Sequence, residues 1–220
     1  MTTAVIGVGN IGGGLARQLV HGGEPIVVAA KEKSRVTALA QELGDLARAA
    51  SVDDAIRSAD LVVFAVWLVT MKELLKDASL LDGKVVVDPS NPIGFDEGGN
   101  VMRTLPDDQS AGSMVADLLP AGAHYVKAFG TLGADSLAGA ANRTPQRAVL
   151  FYATDEDSAA AAVERLSSTA GFEPLKAGGV ADAGRIEVPG GDLHQNGGLN
   201  GRLLDLEQAR AAVVAREVPA

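Results

Sequence analysis

Six residues near the start of the chain, Gly7-Val8-Gly9-Asn10-Ile11-Gly12, have the types and spacing of a diphosphate-binding turn. The three glycines of such a turn do different work. The first permits a tight bend, the second lets backbone approach an anion, and the third lets the following helix pack closely on the preceding strand. The run follows an apolar segment at 4–7 and opens a helical pattern over Asn10–His21, the context that gives the motif its meaning. The first amides of that helix have no intrahelical partner and face the anion. Gly13 and Gly14 extend the run and are not required by it.

The second apolar segment, 26–30, ends in Ala30 and is followed by Lys31-Glu32-Lys33-Ser34-Arg35. An acid at the strand end would bind the ribose hydroxyls of NAD. Cations just beyond it suit a 2′-phosphate instead, with Lys31 the first candidate and Lys33 or Arg35 next, which favours NADP(H). Glu32 keeps an NAD reading open.

In open α/β sheets the ligand lies outside the carboxyl ends of the strands. Ala65, Val66 and Trp67 follow one buried apolar run, and Ser90, Asn91 and Pro92 follow another, so these six should border the nicotinamide. The sole tryptophan is read either as a wall of that pocket or as a rim residue. Ser90 and Asn91 either bond the carboxamide or substrate, or serve turn chemistry. Of three histidines, His21 suits a helix C-terminus and His124 precedes a strand. His194 sits in a polar, glycine-rich stretch, 190–198, that reads as a lid or pocket wall. Asn91 and His194 are the candidates for a catalytic role. No nucleophile triad, paired carboxylates or metal-ligand spacing stands out, so no metal is expected.

These residues need elements to carry them. Short apolar runs alternate with helical patterns: strands near 4–7, 26–30, 47–50, 61–66, 84–88, 125–129, 148–153 and 173–177, with helices between most of them. Residues 94–109 read as a long loop, and 203–216 as a final helix. The alternation predicts an α/β, doubly wound Rossmann sheet, mainly parallel, with a small C-terminal extension. The expected division is a dinucleotide-binding domain over 1–153 and a strand with helices over 154–220 that completes the substrate cleft.

The 220 residues include no cysteine, which excludes disulfides, thiolate metal sites and cysteine nucleophiles. A net charge of −9 opposes nucleic acid and anionic membranes as partners. Neither a leader nor a membrane-spanning run is read, which makes the cytoplasm the expected location. The apolar face of the final helix suits either its own domain or a homodimer partner.

The glycine turn, the cations after the second strand, Pro89-Ser90-Asn91-Pro92, Ser110-Ala111-Gly112-Ser113 with Leu119-Pro120, and Val126-Lys127-Ala128-Phe129-Gly130-Thr131 share order and spacing with a known family. The chain resembles the NADPH-dependent deazaflavin reductases, the F-420:NADP oxidoreductases, and the related cytosolic oxidoreductase domain of the STEAP metalloreductases. The resemblance implies hydride transfer between NADP(H) and the deazaflavin coenzyme F-420 as a small-molecule acceptor. It implies that Gly7, Gly9, Asn10, Ile11 and Gly12 hold the pyrophosphate, Lys31 the 2′-phosphate, and Ser90-Asn91-Pro92 the nicotinamide. Positioning supplies most of the catalysis in such a step, which asks for little acid–base chemistry. Two alternatives stay open: an NADPH-dependent reductase of another flavin, carbonyl or imine, and a dinucleotide-binding sensor that does no chemistry.

Overall fold

A computed structural model describes residues 1–215. The chain runs through β1 (Thr3–Ile6), α1 (Asn10–His21), β2 (Ile26–Ala29), α2 (Lys33–Leu43), β3 (Ala47–Ala49), α3 (Val52–Ser58) and β4 (Leu61–Phe64). It continues through α4 (Leu68–Leu74), β5 (Val85–Asp88), β6 (Ile93–Phe95), β7 (Val101–Arg103), α5 (Ala111–Asp117), β8 (His124–Lys127) and α6 (Ala134–Gly139). The last elements are β9 (Val149–Ala153), α7 (Asp157–Thr169), β10 (Glu173–Gly178), a 3-10 stretch (Val180–Ile186) and α8 (Leu206–Ala215).

Eight strands form one sheet in the order β10-β9-β8-β5-β4-β1-β2-β3. All pairs are parallel except β8 with β9, where the direction reverses. The Rossmann class is therefore as the alternation predicts, with one antiparallel step. β10, which lies beyond residue 153, pairs with β9 in the same sheet.

The period-two rule decides which side chains go where. Val5, Val28, Val63 and Val87 turn to the face covered by α1 and α7, where Leu15, Leu19, Val163 and Leu166 meet them. Ala4, Ile6, Val27, Val62, Phe64 and Val86 turn to the other face, against Leu68, Met71, Ala111 and Val115 of α4 and α5. Because both faces are covered, the central strands are continuous apolar runs. A third cluster joins Val149 and Phe151 of β9 to Ile186, Leu193, Leu199 and Leu204, and so packs the C-terminal segment on the sheet.

Several expectations are corrected. The stretch 94–109 is not a plain loop: β6 and β7 pair antiparallel as a hairpin, Ile93 opposite Arg103 and Phe95 opposite Val101. The short helix α6 lies in a stretch the pattern left unassigned. The final helix starts at Leu206, not 203, and Arg216 lies outside the described residues. Among the described residues no helix is long and apolar enough to cross a membrane.

Candidate functional site

At the carboxyl end of β1 the chain enters α1 through the glycine turn. Gly7 has φ +99°, and a Cβ there would stand 2.3 Å from the Ala65 carbonyl oxygen. A Cβ on Gly12 would stand 1.9 Å from the Gly7 carbonyl oxygen. Both glycines are therefore demanded by the packing of β1, β4 and α1 on one another. Gly9 is different. It has an ordinary φ of −76°, and a Cβ on it would meet nothing within 4 Å. Nothing among the described residues requires a glycine there, and the open space lies at the start of α1. That helix begins without a side-chain cap, so its first amides are left for an outside acceptor.

The turn opens on a cleft of about 490 Å³. Gly9, Asn10 and Ile11 form one end, with Arg35 of α2 beside them. Ala65, Val66 and Trp67 come from the end of β4, and Pro89, Ser90, Asn91 and Ile93 from the end of β5. Gly130, Leu132, Gly133 and Ala134 close it from beyond β8, and Val188, His194 and Asn196 from the C-terminal segment. Most of the residues singled out in the sequence thus meet at one place. Gly7 and Gly12 lie behind the surface as packing glycines. Pro92 and the exposed Lys31 and Lys33 are not among the lining side chains. Of the three cations after β2, Arg35 is the one on the cleft; it lies 3.8 Å from Glu32, both side chains well exposed. A second depression, about 510 Å³, lies between Arg147, Glu173 and Arg210 at the β10 side of the sheet and shares no residue with the first.

The inner end of the cleft is braced by backbone bonds. The Asn91 amide donates to the Gly130 carbonyl at 2.9 Å and accepts from the Val188 N–H at 2.9 Å. His194 Nε2 donates to the same Gly130 carbonyl at 2.9 Å, and its Nδ1 accepts from the Asn196 N–H at 3.0 Å. Both imidazole nitrogens are thus engaged by a neutral ring. Burial lowers the His194 pKa to about 4, with repulsion from Lys127 adding to it against the pull of the Gly130 bond. The glycine-rich stretch around it is a fixed wall: Gln195 is bonded to Thr131, Gly133, Ser136 and Gly201. Gly130 itself is needed for the approach of β8 to β5, since a Cβ would lie 2.2 Å from the Pro89 carbonyl oxygen. Phe129, just before it, is fully buried at φ +64°, a strained conformation for a residue with a Cβ, held by the core around it.

Behind this wall lies a buried charge cluster that local sequence reading missed. Lys127 Nζ stands 3.0 Å from Asp88 and 3.4 Å from Glu187, and also donates to the Ser90 carbonyl. Tyr125 donates to Asp88 at 2.8 Å, so burial and the two carboxylates hold its pKa well above the ordinary value. Glu187 accepts from the Ala111 and Gly112 amides at 2.9 and 2.7 Å. Asp88 accepts from the Ser90 N–H at 2.7 Å. The cluster fixes the Ser90 backbone from below. The Ser90 side chain, by contrast, is buried and its hydroxyl has no hydrogen-bond partner among the described residues. Among the described residues no cluster of histidines and carboxylates could hold a metal ion.

Residues 2–92 match the model of a family described as NADP oxidoreductase, coenzyme F420-dependent. The rat metalloreductase STEAP3 is 31% identical over 184 residues, 84% of this chain but 35% of the relative, so the chain spans about a third of that protein. The hypothetical protein SMa0349 of Sinorhizobium meliloti superposes with a TM-score of 0.80 at 30% identity, over 93% of this chain and 95% of that one. A protein of Arthrobacter sp. FB24, assigned as an F420 dependent NADP-reductase, gives 0.72 at 22% identity over 82% and 86% of the two chains, a likeness of fold. Through its glycine turn and the strands that carry it, the N-terminal part of the chain, residues 2–92, carries a domain of the NADP oxidoreductase family described as coenzyme F420-dependent.

Proposed function

We propose that the protein binds NADP(H) in the cleft and transfers hydride between its nicotinamide and a deazaflavin coenzyme of the F-420 type. One observation carries the reading. Gly9 is a glycine the fold does not need, standing over open space at an uncapped helix start, where a diphosphate would take the amides of the first turn. Arg35, which lines the cleft, would meet a 2′-phosphate, with Lys31 and Lys33 adding charge from outside it. Ser90 and Asn91, which line the cleft at the end of β5, would border the nicotinamide. When bound, NADPH supplies a hydride from its dihydronicotinamide ring, two electrons pass to the acceptor, and a proton follows from water.

The lining favours one class of acceptor. Reduction of a carbonyl or imine leaves a basic oxygen or nitrogen that wants a proton at once. The titratable side chains lining the cleft are Arg35, at the phosphate end, and His194, which is neutral and already donates to Gly130. A deazaflavin spreads the incoming charge over its own ring and needs no local acid. What the residues do is bind, orient and exclude water.

The test is calorimetry with NADPH and NADH, followed by NADPH absorbance in the presence of F-420, riboflavin and a small ketone. Binding of NADPH and its oxidation by F-420 are expected. Failure to bind either nucleotide overturns the reading, and turnover with the ketone alone replaces the acceptor. Arg35→Glu should weaken NADPH about tenfold or more, the loss of a charge-assisted bond, and NADH far less. Equal loss for both would remove Arg35 from the phosphate site.

A further inference from the structure

The charge cluster behind the cleft sits where a group that aligns the cleft would sit. Lys127, Asp88 and Glu187 are almost wholly buried. Within the sheet Lys127 pairs with Asp88 of β5 on one side and with Ala153 of β9 on the other, so its backbone is held from both flanks. Its ammonium then ties β8 to two other segments. Asp88, at 3.0 Å, and the Ser90 carbonyl belong to the end of β5, and Glu187, at 3.4 Å, belongs to the C-terminal segment. Each segment delivers cleft-lining residues within three positions of the cluster: Pro89, Ser90 and Asn91 after Asp88, Gly130 after Lys127, and Val188 after Glu187.

A buried ion cluster is a poor route to stability, because apolar side chains of like volume often hold the same segments as well or better. What charges and bonds to backbone add is direction. The Ser90 carbonyl, and the Ala111 and Gly112 amides that Glu187 accepts, can each be met over a narrow range of angles. The phosphate end of the cleft is held differently. Gly9, Asn10 and Ile11 stand at the start of α1 and Arg35 on α2. Those helices are anchored in the apolar core by Leu15 and Leu19, and by Val36 and Leu39. Among the described residues, no hydrogen bond or ion pair of the Asp88, Tyr125, Lys127 and Glu187 side chains reaches the glycine turn, α1 or α2.

We propose that Lys127 is a positioning residue for the nicotinamide end of the cleft alone, acting through the Ser90 backbone and Glu187, so that the two ends of the dinucleotide are held by separable parts of the fold. The inference rests on the cofactor reading above and adds to it the residue that aligns the reacting half. Lys127 works from behind the wall, and it carries no proton or hydride.

The test compares two ligands by calorimetry. NADPH spans the cleft; adenosine 2′,5′-bisphosphate carries the adenosine and its 2′-phosphate but no nicotinamide. Lys127→Met should weaken NADPH about tenfold, the size of one well-placed hydrogen bond, and leave the bisphosphate within about twofold. Lys127→Met also strips two buried carboxylates of their cation, so the double variant Asp88→Asn with Lys127→Met is made beside it. There the ammonium and one carboxylate leave together, and the same split between the two ligands is expected. Equal weakening of both ligands, weakening of the bisphosphate alone, or no change in either would reduce the cluster to a structural support and overturn the proposal. Loss of the folded state in both variants would overturn it too, since the two ends would then not be separable. If the unmodified protein binds the bisphosphate and NADPH not at all, the cofactor reading falls instead.

Discussion

The three glycines of the first turn look alike in sequence and are held by different forces. Gly7 and Gly12 are fixed by contacts inside the protein, 2.3 and 1.9 Å from carbonyl oxygens to a would-be Cβ. Gly9 faces open space at an allowed φ. Substitution should therefore separate fold from binding. Gly9→Ala should keep the melting temperature of the unmodified protein and weaken NADPH by about tenfold or more, because the methyl sits where the diphosphate approaches. Gly12→Ala should cost about 1–3 kcal/mol of stability whether or not nucleotide is present, by overpacking helix against strand. The two are read by thermal melts with and without NADPH. A Gly9→Ala protein that melts early and binds normally would reverse the assignment. The same scale shows where sequence reading fell short. Lys31 is first in the chain after β2, yet Arg35, two residues into α2 from Lys33, reaches the cleft. Helix direction decides that, and residue type alone does not reveal it.

At the scale of elements, the strands and most helices were legible because burial on both faces leaves an unbroken apolar record, as in Leu61–Phe64. What escaped was structure whose partner lies far along the chain or whose composition mimics a loop. The hairpin of β6 and β7 is rich in Gly, Asp and Asn and partly exposed, so its pattern carries no core signal. The reversed β9 is a matter of topology: an apolar strand reads the same in either direction. The seam between β5, β8 and the segment at Val188 was invisible for the same reason, since Asn91 and Val188 are 97 residues apart. That seam can be tested. Asn91→Ala removes the donor to Gly130 and leaves the half-buried Val188 N–H without its acceptor, and should cost about 1–3 kcal/mol. The local signature is faster hydrogen exchange at the Val188 amide than in strands such as β4. Unaltered exchange there would mean that the contact bears no strain and the seam is held by packing alone.

At the scale of the whole molecule, the C-terminal segment is docked on the sheet by groups that prefer one protonation state, and this ties stability to pH. His194 is neutral in the fold, with a pKa lowered to about 4 from 6.5 by burial and by Lys127. An unfolded chain takes up this proton as pH falls below about 6.5, and the folded one resists until about 4. The stability it confers is therefore complete above 6.5 and drains away between 6.5 and 4, by roughly 3 kcal/mol in all. Glu24 acts in the same direction but later. Burial would raise its carboxyl, but the bonds from Arg165 at 2.6 and 3.0 Å and from Thr3 at 2.7 Å outweigh burial and lower it. Its contribution stands above the ordinary carboxylate value of 4.5 and is lost as pH falls through the lowered one. The acid limb of stability should thus have two parts, a histidine part beginning well before the carboxylates titrate and a carboxylate part below it. Urea melts between pH 7.5 and 4.5 resolve them. The unmodified protein should lose stability steadily below pH 6.5, and His194→Gln, although less stable at neutral pH, should be nearly flat down to about pH 5. A flat profile in the unmodified protein, or the same slope in the variant, would show that the wall of the cleft accepts a proton without loosening.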